Sequence, residues 1–148
     1  MNTWSLSELP QGSKAIGTKW VFDIKQSVGG EIVRYKARLV AKGYAQRPGM
    51  DYDEVFTPVA KHATIRYILS MAANPKAYLA QLDVSTAFLN GIIEEELYCS
   101  QPPGFEKDHR VFRMWKCLYG LKQASRQWYL KVKEDMTAIG FKEVDVRR

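Results

Sequence analysis

The chain has 148 residues, 46% of them hydrophobic, and 22 Lys and Arg against 16 Asp and Glu give a net charge of +6. That is enough for one globular domain with a real core and too apolar for a disordered tail. No apolar run approaches a membrane span, Met1-Asn2-Thr3-Trp4 opens no signal peptide, and Cys99 and Cys117 are too few for a disulfide framework or a zinc site. The expectation is an intracellular product, cytoplasmic or nuclear, with two core thiols.

The charge is unevenly distributed. Residues 1–50 carry eight Lys and Arg against three acids, residues 51–109 four against nine, and residues 110–148 ten against four, for sums of +5, −5 and +6. Two basic segments flanking an acidic one suit an enzyme of nucleic acid, with cations on phosphates and carboxylates on metal. A solvated surface carries the same pattern.

In chain order, residues 15–24 and 31–40 are rich in β-branched and aromatic side chains and are separated by Gly29-Gly30, which predicts a β-hairpin. In its second strand Arg34, Lys36 and Arg38 alternate with Tyr35, Ala37 and Leu39, so the three cations share one face. Either they grip an anion or they form the solvated side of an antiparallel sheet. Residues 46–52, with Pro48-Gly49, read as a loop. A helix is expected over 63–73, with Ile65, Ile68, Leu69 and Ala72 on its buried side and Asn74-Pro75 as its stop.

The apolar run 78–82 reads as a buried strand that delivers Asp83 at its exit, where a carboxylate can meet an ion. The bland alternative is a helix N-cap, which Ser85-Thr86 also suit. Short strands are expected within 94–100 and 111–115. The clearest helix is 122–139, because Leu121, Ala124, Trp128, Val132, Met136 and Ile139 recur at spacings of three and four, and Gly140 is placed to end it. Trp115, Trp128 and Tyr129 are assigned to packing.

Five ordered blocks carry a family resemblance. Lys19-Trp20-Val21-Phe22, residues 34–43 (RYKARLVAKG), residues 53–58 (DEVFTP), residues 81–91 (QLDVSTAFLNG) and residues 118–128 (LYGLKQASRQW) together resemble the N-terminal half of a copia-type retrotransposon reverse transcriptase, an RNA-directed DNA polymerase. The resemblance covers nearly the whole chain and thins over 142–148. It implies an α+β domain, a partial right-hand polymerase fold with fingers at about 12–60 and 100–120 and an incomplete palm at about 62–99 and 121–148.

The resemblance also implies roles. Asp83 is the first catalytic carboxylate and, with the carbonyl of Val84, a ligand of magnesium; a complete enzyme of this kind holds two Mg2+ ions. Phe88 is a sugar gate against a 2′-hydroxyl, its alternative being core packing. Lys36 and Arg38 bind the triphosphate, and Tyr119 and Gly120 contact the nucleotide, Tyr119 standing where retroviral relatives carry Gln. Lys122, Gln123 and Arg126 bind nucleic acid. Implied partners are an RNA or DNA template–primer, deoxynucleoside triphosphates, and the remaining palm, thumb and RNase H of the polyprotein.

No Tyr-Val-Asp-Asp-type pair occurs in the chain: Asp135 lies within the expected helix, Asp145 sits three residues from the C-terminus, and neither has a second Asp beside it as a partner. One carboxylate and a carbonyl fall short of the roughly three acidic ligands that two such ions require. The expectation is a chain inactive alone and of poor stability in isolation. The competing reading is a non-catalytic nucleic-acid-binding module derived from such an enzyme.

Overall fold

A computed structural model describes residues 2–143. The core is built on a small antiparallel sheet of strands β1 (Trp4–Ser7), β5 (Val111–Met114) and β4 (Tyr98–Cys99), in the order β1-β5-β4. Trp4 pairs with Met114 and Cys99 with Phe112. Ile16 extends the sheet beyond β4: its N–H donates to the Tyr98 carbonyl at 2.8 Å, and its own carbonyl accepts from the Ser100 N–H at 2.9 Å. Ile16, Leu97, Cys99, Met114, Cys117 and Leu118 are buried here together with Leu121 and Ala124 from the start of the second helix. Burial pushes the thiols of Cys99 and Cys117 up to about 12, consistent with inert core cysteines.

The predicted hairpin is present as β2 (Thr18–Gln26) and β3 (Ile32–Ala41), turning through Gly30 at φ +84. Its root is anchored. Thr18 and Ala41 are buried, the Ala41 N–H donates to the Tyr119 carbonyl at 2.7 Å, and the Lys42 N–H donates to the Gly17 carbonyl at 2.8 Å. Farther out, Phe22, Ile24, Val33 and Tyr35 are exposed. On that side Trp20 gains cover from Phe105, edge-on at 5.7 Å, and from the Pro103 carbonyl, which accepts its indole N–H at 3.1 Å.

Helix α1 (His62–Ala72) forms within a residue of the predicted limits, yet Ile65, Ile68 and Leu69, expected on a buried side, are each close to half exposed. Periodicity makes the helix amphipathic, whereas burial needs an opposing surface, and none of its residues is buried. The expected strand 78–82 is corrected for the same reason. The segment is irregular and Tyr78 and Leu82 are at least 90% exposed; a strand needs a partner for its backbone groups, and none is hydrogen-bonded to it among the described residues.

Helix α2 (Ala124–Ala138) closes the described chain, ending at Gly140 with φ +98 and a Phe141 N–H that reaches back to the Met136 carbonyl at 3.0 Å. Its first turn is buried at Ala124, but Met136 and Ile139 are exposed. Asp135 pairs with Lys131 at 2.8 Å, while Asp145 and the last five residues of the expected palm lie outside the described residues. The strand expected in 94–100 shortens to Tyr98–Cys99, and β1 had no counterpart in the sequence reading.

Candidate nucleotide and template site

The register of the hairpin decides which charges share a face. Directly paired residues point the same way, so Lys19, Lys25, Arg34, Lys36 and Arg38 stand together, with Asp23 as the one acid paired onto that face of the hairpin. Lys36 and Arg38 are half-buried, the others exposed. Arg38 approaches Asp23 at 4.0 Å, a loose pair with both side chains partly in solvent. The result is a strongly basic strip leading toward the root of the hairpin.

At that root β3 meets the turn that precedes α2. Val40 and Tyr119 form a bridge, and the turn lies so close that a Cβ on Gly120 would stand 2.2 Å from the Ala41 carbonyl oxygen, while one on Gly43 would stand 1.9 Å from the Gly120 oxygen. Only glycines permit this approach. Gly120 also has φ +91, which side chains disfavour.

Phe88 lies in the short 3-10 turn Ala87–Asn90, which packs against α2 across Gly91, where a Cβ would meet the Gln127 side chain at 2.9 Å. Its ring meets the Tyr119 ring edge-on, centroids 4.8 Å apart. A hollow of about 590 Å³ opens beside this pair, walled by Val55, Val59, Phe88, Lys122, Trp128 and Tyr129. Arg126 faces the acidic segment instead of open solvent: it pairs with Glu54 at 2.6 Å and donates to the Phe56 carbonyl at 3.3 Å.

Gln123 requires a correction. Expected at a nucleic-acid surface, it is fully buried, and its amide is consumed internally: Oε1 accepts from Gln46 Nε2 at 2.9 Å, and Nε2 donates to the Asp51 carbonyl at 3.0 Å and to Glu95 Oε2 at 3.4 Å. Lys122 beside it is exposed, and its backbone N–H donates to Gln46 Oε1 at 2.7 Å. In the loop before, Arg47 holds the Asp51 carboxylate through its backbone N–H at 2.7 Å and its guanidinium at 3.2 Å. Burial pushes the Asp51 carboxyl up, but the hydrogen bonds and charge of Arg47, with help from Lys14, more than offset this and hold it below the ordinary carboxylate value.

The structure therefore brings Phe88, Tyr119, Gly120, Lys122 and Arg126 into one neighbourhood at the foot of the basic strip. A family model described as "Reverse transcriptase (RNA-dependent DNA polymerase)" matches residues 1–148. The chain belongs to the reverse transcriptase family. It is 54% identical over 132 residues to the Retrovirus-related Pol polyprotein from transposon TNT 1-94 of Nicotiana tabacum, covering 87% of this chain and 10% of that protein. It is 48% and 46% identical, each over 144 residues, to the Pol polyproteins from transposons RE2 and RE1 of Arabidopsis thaliana, covering 95% of this chain and 10% of each. The chain thus spans about a tenth of the length of the curated relatives it matches. No solved structure matches it.

Within this reverse transcriptase chain, Asp83 and Val84 are exposed, and Asp83 makes no hydrogen bond or ion pair among the described residues, with Lys36 and Arg38 or with any other group. Thr86, which follows, takes a left-handed φ of +54 and makes no side-chain cap on the 3-10 turn, so the alternative N-cap role is not realised either. No three His, Cys, Asp or Glu side chains gather as a metal site among the described residues. This donor set does not fit a pair of Mg2+ ions. No helix of the described residues is long and apolar enough to cross a membrane.

Gln46, Arg47, Asp51 and Gly43 were missed by sequence reasoning. Gly43 lay inside the RYKARLVAKG block and was open to notice as a close-approach glycine. Gln46 and Asp51 sit in a segment that reads as an ordinary polar loop, and nothing in its composition marks them as buried.

Proposed function

We propose that this chain supplies the nucleotide- and template-facing side of an RNA-dependent DNA polymerase, its fingers and part of its palm divided at the boundaries expected above. Lys36 and Arg38 hold the triphosphate, Arg through paired donors and Lys as a point charge. Phe88 closes the space under the sugar, where Tyr119 supports its ring, and Gly120 lets backbone approach the base pair. Lys122 meets template phosphate, and Arg126 does so by exchanging Glu54 for it. Asp83 and the Val84 carbonyl are one part of a metal site that acidic groups from elsewhere must complete, so the chain alone binds and does not polymerise. Template–primer, deoxynucleoside triphosphates and the rest of a polyprotein are the partners.

The observation that carries this reading is the edge contact of Phe88 and Tyr119 at 4.8 Å, at the point where a strand of cations runs into a glycine turn. The test is equilibrium binding. The chain should bind a deoxynucleoside triphosphate more tightly than the matching ribonucleotide, and Phe88→Ala should erase the difference. Replacing Lys36 and Arg38 with Ala should weaken triphosphate binding, and Lys122→Ala should weaken template–primer binding and lower its slope of log K against log salt by about 1.

A second reading, a non-catalytic nucleic-acid-binding module, is favoured by the five cations facing one acid on the hairpin and by the lack of a three-donor cluster among the described residues. It predicts the same salt dependence without discrimination between the two sugars. Incorporation of deoxynucleotides by the chain with magnesium would overturn both readings.

A further inference from the structure

We propose that Gln46, Gln123 and Asp51 form a buried positioning clamp that sets the 119–122 turn, and through it the Tyr119 ring against Phe88; as a functional device this rests on the reading of that turn as a nucleotide and template contact. The clamp faces no ligand. Gln123 is fully buried and Gln46 and Asp51 are each 6% exposed, so every polar atom among them must be satisfied from within. Both amides achieve this in one orientation. Gln46 Oε1 accepts the Lys122 N–H at 2.7 Å, and Gln46 Nε2 donates to Gln123 Oε1 at 2.9 Å and to the Asp51 carbonyl at 3.3 Å. Gln123 Nε2 donates to that same carbonyl at 3.0 Å and to Glu95 at 3.4 Å. Flipping either amide would set like groups against one another, so the pair locks as a unit.

Asp51 is the fixed point of the clamp. Its carbonyl accepts from both glutamines while its carboxylate is gripped by Arg47, four residues earlier, closing the loop into a ring. The turn is consequently tied at two ends: the Tyr119 carbonyl accepts from Ala41 at 2.7 Å, and the Lys122 N–H is held by Gln46. Between those ties stand Gly120, pressed on β3 and Gly43, and the Tyr119 ring on Phe88. Gln123 occupies the N-cap position of α2 yet makes no side-chain cap bond, because its side chain serves the clamp. An apolar pair of similar volume would fill this space without the burial cost of two amides, so the glutamines specify one geometry of the turn.

Gln123→Met, close in shape and without the amide, tests this in the 148-residue chain. By hydrogen exchange, the Lys122 and Ala41 amides should lose at least about tenfold protection, while the Met114 amide, bonded to Leu97 within the core, keeps its rate. Leu97→Ala is the control for a general loss of stability, which accelerates all three alike. Template–primer affinity should fall about tenfold with the salt slope unchanged, since no phosphate-binding cation is lost. In a Tyr119→Ala background Gln123→Met should weaken binding no further.

Unaltered protection at Lys122 and Ala41, unaltered affinity in a loosened turn, or full additivity with Tyr119→Ala would each overturn the clamp. Should Gln123→Met fail to fold, Gln46→Met carries the same measurements. A wild-type chain that binds no template–primer refutes the functional reading, and with it the use assigned to the clamp, while the exchange rates still decide whether the glutamines set the turn.

Discussion

Replacing Gly120 with alanine puts the junction between the hairpin and α2 under a measurable load. At φ +91 an L side chain costs about 1–2 kcal/mol. The added Cβ would also lie 2.2 Å from the Ala41 oxygen and 2.7 Å from Val40 Cγ1, so the two backbones must part. Parting them breaks the Ala41-to-Tyr119 hydrogen bond of 2.7 Å and leaves a buried donor unpaired, for about 1–3 kcal/mol more. The combined loss is about 2–5 kcal/mol, a large share of the stability of a domain this size. Gly104, at φ +82 with nothing within 4 Å of its Cβ position, isolates the conformational part, and Gly104→Ala should cost only about 1–2 kcal/mol. Urea unfolding followed by tryptophan fluorescence reads both. Because Gly43 touches the same backbone, Gly43→Ala added to Gly120→Ala should cost less than it does alone. A Gly120→Ala chain no less stable than Gly104→Ala would refute the close junction on which the site depends.

Other consequences follow from burial and charge. Cys99 and Cys117, with thiols pushed up to about 12, should resist a thiol reagent at pH 8 in the native chain and react fully in urea. Leu97→Ala, at a side chain 1% exposed, should cost about 2–5 kcal/mol in unfolding experiments. Ile68→Asp, on a helix face 53% exposed at that residue, should change stability by less than about 0.5 kcal/mol. Asp51 is held below its ordinary 3.8, so its stabilising effect is present above that value and is lost as pH falls through the lower folded-state value; the stability difference between wild type and Asp51→Asn should be constant at neutral pH and shrink below about pH 4.

Local chemistry was legible in the sequence wherever neighbours along the chain decide the outcome. Alternating β-branched and aromatic residues around Gly29-Gly30 determined the hairpin and the common face of Arg34, Lys36 and Arg38, because strand geometry follows period two whatever lies nearby. The limits of both helices and the stop at Gly140 came from the same local rules, and five ordered blocks sufficed for the family. Tertiary structure alone decided which apolar positions are covered: Ile65, Ile68 and Leu82 have the right character for a core, but burial belongs to a pair of surfaces and no periodicity records whether the second is there. It alone showed that Gln123, which the resemblance places at nucleic acid, and Gln46, in a segment that reads as a loop, hydrogen-bond one another inside. A buried amide differs from a solvated one only in its partners, and those partners lie 77 residues apart in the chain.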